Sequence, residues 1–345
     1  MADTNAKFLT REEWDRVAPL FRDLTYRQCG SYAEAAARDI GATSEFVAFV
    51  DDEDLVGLAN VRVKRLPFLP LGIAYLNYGP LTARRDRFVT GSFGRCLDVL
   101  AQEYVKRRGL VLRVVPPIHD GQCLHDQTTC FETRGFSRSR RYEPQATFIL
   151  DVAKPLEEIR NNFDSKWRSD LNRAQKINIR VTKTTAPADF DIFEPIFLEL
   201  VQQKNFATVQ DVAFFRRVQE GAQAYERLVA HLAWYEGELV AGHIGSFVGD
   251  TAVYLLGAAT PKGREIRASF LLQWAVIEYA KSVGNLFYDL GGVNQQKNPS
   301  VYRFKQRLNG CYVVESAPYE IAPSKLTGRV VSLLEDAYKW LAERV

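Results

Sequence analysis

The chain has 345 residues, of which 46% are hydrophobic and 25% are charged, and this is enough apolar material for two globular domains. A formal net charge of only +3 argues against a general nucleic-acid coat protein but leaves room for local basic patches. Because the first residues form no apolar leader and no later stretch is apolar enough to span a bilayer, we expect a soluble, cytoplasmic protein. The 5 cysteines are odd in number and dispersed, so we expect no disulfide framework.

The first half of the chain is predicted to contain a hairpin, a strand, a helix and a further strand. Residues 46–63 consist of two runs of β-forming residues around an acidic turn, which is the pattern of a hairpin. An apolar strand at 73–78 follows, and then an amphipathic helix that ends at Gly109, since glycine commonly terminates helices. Residues 110–115 form the next buried strand.

The middle of the chain is predicted as a strand followed by helices. The strand covers 146–151, and helical stretches follow from Pro155 and at 167–176, 187–203 and 211–224, as judged by apolar spacing. These helices separate the first run of strands from a second one.

Basic residues cluster around the start of this middle region. They are Arg134, Arg138, Arg140 and Arg141, followed by Lys166, Arg168, Arg173, Lys176, Arg180 and Lys183. The ordinary interpretation is a solvated helix face with a basic loop. The functional interpretation is a track for RNA or for a phosphorylated substrate, with Lys166, Arg168 and Arg173 as the RNA-binding candidates.

The second half of the chain repeats the order of the first. A hairpin is predicted over 228–247, a strand over 251–256, a helix that ends at Gly284, and a buried strand over 286–290. The order of hairpin, strand, helix and strand is that of the GNAT fold, so we predict an α/β protein with two tandem GNAT-like domains and no coiled-coil arm. The alternative is a chance similarity between two generic α/β units.

We place the first domain at 1–150 and the second at 151–320, with a C-terminal helix within 321–345 that joins the first domain. One face of this helix is apolar and consists of Leu326, Val330, Leu333, Leu334, Ala337, Trp340 and Leu341. A role at a membrane surface is the alternative, but the acidic residues of the helix favour packing within the molecule.

The most informative stretch is 288–293, Tyr-Asp-Leu-Gly-Gly-Val, in which a buried strand ends in a sharp turn. Strand ends of this kind commonly carry substrate chemistry. Residues 301–305, Val-Tyr-Arg-Phe-Lys, follow after a short loop. We therefore expect Lys305 to face a pocket rather than bulk water.

In their order and spacing, several segments resemble the FemA/FemB/FemX family of aminoacyl-tRNA-dependent transferases, in its compact FemX form. The segments are 112–117, 135–136, 147–151, 166–174, 271–292 and 302–310. This family builds peptide bridges on cell-wall precursors. The resemblance implies transfer of an amino acid from aminoacyl-tRNA to an amine of a peptidoglycan precursor, such as lipid II or a UDP-muropeptide at the inner membrane face. A small amine of a natural-product pathway is an alternative acceptor.

The resemblance also implies which residues carry the reaction. Lys305 matches the lysine of the family's Phe-Lys motif and would supply positive charge to the tetrahedral intermediate, while Phe304 would shape the aminoacyl site. The alternative for Lys305 is an ion pair with a surface carboxylate. Because an ester is already an activated donor, we expect no cofactor and no metal. We also predict no stable protein partner.

Further residues are candidates for substrate binding. They are Lys204, Tyr254, Asp289, Tyr302, Arg303 and Tyr78. Lys204 lies near the place where the family carries a basic residue that contacts the acceptor's phosphates. Asp289 either holds the amine or ties down the turn that follows it, and we favour the turn. For the tyrosines, core packing is the alternative.

A coenzyme A donor is not favoured. Residues 264–269, Arg-Glu-Ile-Arg-Ala-Ser, lack the first glycine of the loop on which GNAT domains hold the pyrophosphate of coenzyme A, and residues 87–92 fit no better. His119, Cys123, His125 and Cys130 match no common zinc spacing. His231 and His243 are predicted as packing residues on strands.

Two other functions stay open at this point. One is an N-acyltransferase that uses a thioester donor for lipid, polysaccharide or natural-product modification, in which case free thiol would be released. The other is a non-catalytic pair of GNAT domains that holds RNA or a wall precursor, in which case substitution of Lys305 would change affinity and not turnover.

Overall fold

The structure is a computed structural model that describes residues 4–66, 71–87, 89–117, 123–139, 142, 145–204 and 211–342, without the side chains of 123–126, 204 and 338–342. Its contacts divide the chain into two compact units. The first unit consists of Met1–Pro144 and Ser316–Val345, and the second of Gln145–Glu315. Each unit has its own seven-stranded sheet.

The strands in chain order are β1 (Thr4–Leu9), β2 (Thr43–Asp51), β3 (Asp54–Arg65), β4 (Gly72–Asn77), β5 (Val111–Val115), β6 (Ser137–Arg138), β7 (Ala146–Asp151), β8 (Arg180–Thr184), β9 (Val229–Tyr235), β10 (Glu238–Ser246), β11 (Thr251–Ala259), β12 (Phe287–Asp289), β13 (Cys311–Val314) and β14 (Tyr319–Ile321). The helices are α1 (Arg11–Val17), α2 (Gly30–Asp39), α3 (Ser92–Leu100, continued by a π-helical stretch at Ala101–Arg107), α4 (Cys123–Glu132), α5 (Leu156–Asn162), α6 (Ser165–Ala174), α7 (Pro187–Lys204), α8 (Val212–Glu220), α9 (Pro261–Glu265), α10 (Ala268–Ser282), α11 (Pro299–Gln306) and α12 (Lys325–Ala342). Short 3₁₀ turns lie at Ala18–Leu20, Tyr26–Gln28 and Ala224–Glu226.

The first sheet has the strand order β1-β2-β3-β4-β5-β14-β6. β2 and β3 form the predicted hairpin, and β4 runs parallel to β5 because α3 makes the crossover between them. The apolar side chains of these strands pack against one face of the crossover helix, which contributes Cys96, Leu97, Leu100 and Tyr104 to the core. Burial of this face stabilises the unit.

The second sheet has the order β13-β7-β12-β11-β10-β9-β8. β9 and β10 form a hairpin, and β11 runs parallel to β12 with α9 and α10 between them. The succession of hairpin, strand, helix and parallel strand therefore occurs once in each unit, and the predicted α/β class and internal repeat are confirmed. In the described part of the chain no helix exceeds 18 residues, and none forms a coiled-coil arm.

One strand of each sheet comes from the other half of the chain. β7 follows the first repeat in sequence but pairs with β12 and β13 in the second sheet. β14 follows the second repeat but pairs with β5 and β6 in the first sheet. The predicted boundary after residue 150 is therefore corrected: the second unit begins before β7, at Gln145, and ends at Glu315. The physical reason is that Phe148 and Leu150 of β7 are buried in the core of the second unit.

Helix α12 belongs to the first unit, but not by the face that the sequence predicts. Val331 is 3% exposed, and the carboxylate of Glu335 accepts two hydrogen bonds of 2.8 Å from the Arg113 guanidinium of β5. On the predicted packing face, Leu326 and Leu333 are 72% and 65% exposed. The helix packs on the first unit as predicted, but through Val331 and a partly buried ion pair rather than through these leucines, and the side chains of Trp340 and Leu341 lie outside the described residues.

Among the described residues, no helix is both long enough and apolar enough to cross a membrane.

Candidate active site

The candidate site lies where the parallel strands of the second unit separate. β11 and β12 pair from Thr251↔Phe287 to Val253↔Asp289, and β12 then ends while β11 continues to Ala259. The chain turns sharply at Gly291, which has a φ of 71°. A Cβ at Gly291 would lie 2.5 Å from the backbone oxygen of Tyr254, so only glycine fits this close approach between the strands.

Asp289 is buried and holds the turn together. Its Oδ1 accepts a hydrogen bond of 2.8 Å from the backbone N–H of Gly291 and another from the hydroxyl of Thr147. Asp289 thus makes the turn contact that the sequence favours. Thr147 is itself 2% exposed and lies on β7, and sequence reasoning missed it as a functional residue. No signal in the sequence connects the two, since they lie 142 residues apart.

The side chain of Lys305, on α11, points at the turn formed by Gly291 and Gly292. It is 6% exposed, and its Nζ donates to the carbonyl oxygens of Gly291 and Gly292, each at 3.2 Å. The same Nζ lies 4.7 Å from the centroid of the Tyr254 ring. Burial lowers the pKa of Lys305 to about 8, and the Asp289 carboxylate acts in the opposite direction. The site therefore contains a buried amine that titrates close to neutral pH.

Tyr254 is fixed between Lys305 and a histidine. Its ring contacts that of His243 edge to face, with centroids 4.6 Å apart. A Cβ at Gly257 would lie 1.6 Å from the Tyr254 hydroxyl, so Gly257 leaves the space that this hydroxyl occupies. Burial raises the pKa of Tyr254, which keeps the phenol neutral.

Behind Tyr254 lies a pair of buried histidines, His231 on β9 and His243 on β10, which face each other across the two strands with ring centroids 5.8 Å apart. Each is 2% exposed, so the prediction that they are packing residues is confirmed. Nε2 of His243 lies 3.2 Å from the Tyr288 hydroxyl. Burial lowers the pKa of His231 to about 4 and that of His243 well below its ordinary value, so both rings are neutral at pH 7.

An aromatic cluster supports α11. The Phe304 ring packs against Phe270 at 5.1 Å and Trp167 at 6.0 Å between centroids. Tyr302 packs edge to face on Phe148 at 5.5 Å. Phe304 and Tyr302 are partly buried and pack against the hydrophobic core of the second unit.

The other predicted site residues are not part of this group. Arg303 is on the exposed side of α11, and Lys166 and Arg173 are exposed on α6. Arg168 donates two hydrogen bonds of 2.6 Å to the backbone oxygens of Asn161 and Phe163, so it ties α6 to the end of α5.

The remaining predictions fall in the first unit or outside the described residues. Tyr78 belongs to the first unit, where the guanidinium of Arg27 lies 4.0 Å above its ring. The Lys204 side chain, Arg140, Arg141, His119 and the side chains of Cys123 and His125 lie outside the described residues. The fourth residue of the histidine and cysteine group, Cys130, has its Sγ 3.2 Å from the Arg134 guanidinium. Within the part of the chain that the structure describes, no three His, Cys, Asp or Glu side chains are grouped as metal ligands.

The start of α10 bears on the nature of the donor, because this is where GNAT domains hold a pyrophosphate. The residue before the helix is Arg267, which has a φ of 62°, a conformation that favours glycine. Its guanidinium donates to Asp170 of α6 at 2.5 Å. A side chain and its ion pair therefore occupy the position where the GNAT pattern has glycine.

The comparisons with known proteins agree with this architecture. Residues 159–306 match the model of an acetyltransferase (GNAT) domain. The crystal structure of FemX covers 96% of this chain and 100% of its own, with a TM-score of 0.81 and 17% sequence identity, which shows that the two share a fold. The chain is 24% identical over 241 residues to the UDP-N-acetylmuramoylpentapeptide-lysine N(6)-alanyltransferase of Weissella viridescens, covering 65% of this chain and 68% of the relative. The chain is related to the Fem-type transferases.

A second Fem-type relative extends this relationship over more of the chain. The lipid II:glycine glycyltransferase of Staphylococcus saprophyticus is 19% identical over 320 residues, covering 74% of this chain and 76% of the relative. The predicted resemblance is confirmed, and so is the prediction of two tandem GNAT-like units in a fold shared with FemX.

Proposed function

We propose that this Fem-type protein transfers an aminoacyl group from aminoacyl-tRNA to an amine of a peptidoglycan precursor and so forms an amide bond. The amine nitrogen attacks the ester carbonyl, the bond from the carbonyl carbon to the tRNA oxygen breaks, and the amine proton is transferred to the departing oxygen. The observation that carries the proposal is the buried Lys305 ammonium at the separated ends of β11 and β12. A tRNA donor would place the reaction in the cytoplasm.

The contacts of Lys305 suit the stabilisation of a developing negative charge. An ammonium has three N–H donors, and two of them are directed at the carbonyls of Gly291 and Gly292. The third is available for the oxygen that becomes negative in the tetrahedral intermediate. Because the two carbonyls and the Tyr254 ring already fix the ammonium, little reorganisation is needed when this charge develops.

The choice of donor rests on the start of α10. The Arg267 side chain and its ion pair with Asp170 favour a donor without the pyrophosphate of coenzyme A. An aminoacyl ester on tRNA is such a donor, and exposed Lys166 and Arg173 on α6 offer positive charge for its phosphates. The two relatives act, by their names, on a nucleotide-linked and on a lipid-linked precursor, so we propose an acceptor of this class.

The test is a transfer assay with radiolabelled aminoacyl-tRNA pools and either a UDP-muropeptide or lipid II as acceptor. We expect label in the acceptor, lost after RNase treatment and reduced at least about 100-fold in Lys305→Ala, since one oxyanion donor commonly contributes a factor of this size. The matched control is Lys154→Ala, which removes a lysine in an exposed ion pair with Glu158. This control should retain full activity.

Two outcomes would contradict the proposal. Transfer from an acyl-thioester with release of free thiol, and none from charged tRNA, would replace the donor. Binding of tRNA or precursor that Lys305→Ala weakens, without any turnover in the wild type, would instead indicate a non-catalytic binding module.

A further inference from the structure

The C-terminal helix α12 presents an apolar stripe to solvent. Leu326, Val330, Leu333 and Ala337 recur at the spacing that places residues on one side of an α-helix. Leu326 and Leu333 are 72% and 65% exposed, and Leu334 beside them is 38% exposed. Single exposed leucines are ordinary on protein surfaces, but a continuous stripe along a helix marks an interaction surface.

The helix is attached through its other side, so the stripe is not needed to hold it in place. Val331 and Glu335 are one turn apart and face the first unit, where Glu335 pairs with Arg113. Gly328 lies on the same side, where an added Cβ would come within 3.3 Å of the Ala322 side chain. The stripe therefore projects outward from a helix that is already anchored.

The charges beside the stripe are suited to an anionic surface. Lys325 and Arg329 are exposed and lie one turn apart, next to Leu326 and Leu333. The acidic Glu335 is turned inward to Arg113, whereas Asp336 is exposed and lies by helical spacing on the same flank as Lys325 and Arg329, so two cations and one carboxylate border the stripe. A helix with exposed leucines and a net positive border is the arrangement by which proteins lie on the surface of an anionic bilayer.

A second copy of the chain is a poorer occupant for this surface. A stable dimer buries roughly 800 Å² on each partner. Even an aromatic side chain buries only about 150–250 Å², so three partly exposed leucines supply much less than a dimer needs. A bilayer has no such minimum area, since each inserted side chain contributes separately.

We propose that the apolar stripe of α12 docks on an anionic phospholipid bilayer, and that the acceptor is presented there as a lipid-linked precursor rather than a soluble nucleotide-linked one. The docking part is independent of the proposed function, whereas the choice of acceptor rests on it. The helix would lie in the plane of the membrane surface, with Leu326 and Leu333 inserted and Lys325 and Arg329 at the level of the lipid phosphates.

The docking test is sedimentation of the full chain with vesicles of phosphatidylcholine alone or mixed with phosphatidylglycerol. We expect binding to the mixed vesicles, weakened roughly tenfold for each leucine replaced in Leu326→Gln/Leu333→Gln. Lys325→Gln and Arg329→Gln should each weaken it roughly fivefold on the mixed vesicles only. The control Leu20→Gln, which alters a leucine of the first unit that is 43% exposed, should bind like the wild type.

Two results would overturn the docking proposal. One is wild-type binding no tighter than that of the double leucine variant. The other is reversible dimerisation of the wild type, measured by analytical ultracentrifugation, that this variant abolishes, because the stripe would then belong to an interface between copies of the chain.

The acceptor is tested separately, with lipid II in vesicles and a UDP-muropeptide in solution. We expect Leu326→Gln/Leu333→Gln to lose at least tenfold in transfer to the vesicle-bound acceptor and to keep wild-type transfer to the soluble one. Undiminished transfer to the vesicle-bound acceptor would overturn the choice of a lipid-linked substrate. Absence of transfer to either acceptor by the wild type, with vesicle binding intact, would overturn the proposed function and leave the docking surface in place.

Discussion

The Nζ of Lys305 lies 4.7 Å from the centroid of the Tyr254 ring, and the same ring contacts His243 edge to face. The ammonium is therefore held by the negative face of an aromatic ring and by two backbone carbonyls, in a place with little water. These groups attract the cation without neutralising it. The Asp289 carboxylate favours the charged form, and the ammonium, held otherwise by neutral groups, can stabilise an oxyanion in the transition state.

The first prediction concerns the pH dependence of transfer. If Lys305 acts as a cation, kcat/KM should fall as the pH rises through about 8, because burial lowers its pKa to about 8 and the ammonium is lost there. In Lys305→Arg the alkaline limb should disappear, since a guanidinium stays charged throughout this range. A pH profile of both proteins with a saturating donor checks this. A wild-type rate that instead rises through pH 8, by a step absent from the arginine variant, would make Lys305 a general base.

The second prediction separates the ring of Tyr254 from its hydroxyl. Tyr254→Phe keeps the aromatic face and should keep most of the activity. Tyr254→Leu removes a cation–π contact of about 0.5–2 kcal/mol, which corresponds to a loss of roughly 2- to 30-fold in kcat/KM and should move the alkaline limb to lower pH. The same pH profiles measure both effects. Equal losses in the two variants would show that the hydroxyl, and not the ring face, is what the site needs.

The third prediction concerns the turn at Gly291 and Gly292, whose backbone carbonyl oxygens accept hydrogen bonds from the Lys305 ammonium. Asp289→Ala removes the partner of both the Gly291 N–H and the Thr147 hydroxyl, so we expect a loss of about 3 kcal/mol in the free energy of unfolding, as for buried hydrogen bonds to a charged group. Thr147→Val should cost about 1–3 kcal/mol because it leaves the carboxylate with one partner fewer. Urea unfolding of both variants measures these losses.

The control for the turn is Thr147→Ser, which keeps the hydroxyl. It should retain most of the stability that Thr147→Val loses. If Asp289→Ala and Thr147→Val both unfold at the wild-type urea concentration, the carboxylate does not hold the turn, and Asp289 would be assigned to substrate binding instead.

The order of elements was predictable from the sequence because it depends on local patterns. Acidic turns between β-forming runs specify the two hairpins, and Gly109 and Gly284 end the two crossover helices. The position of β7 was not predictable in this way, because its partners β12 and β13 lie far away in the sequence. Strand exchange between the repeats depends on which core buries Phe148 and Leu150, and periodicity does not report that.

In the candidate site too, features set by local sequence patterns were predictable, and contacts between distant segments were not. The turn after β12 and the position of Lys305 followed from the apolar run that ends in Asp-Leu-Gly-Gly and from the motif at 301–305. Thr147 did not follow, since its contact with Asp289 joins two strands from distant parts of the chain. For α12, periodicity identified an apolar face but not whether that face is buried, because the helix is attached by Val331 and Glu335 on its other side.

The last prediction concerns acid stability and the buried histidines. Burial lowers the pKa of His231 to about 4 from an ordinary value of 6.5, and the neighbouring Lys183 adds to the effect. Between these two pH values the unfolded chain binds more protons than the folded one, so the free energy of unfolding should fall as the pH is lowered from 6.5 to 4, by about 3 kcal/mol for His231 alone. In His231→Gln, which does not titrate, urea unfolding should show a correspondingly flatter dependence on pH. Parallel losses in the variant and the wild type would assign the acid sensitivity to other groups, with His243 as the first to test because its pKa is lowered in the same direction.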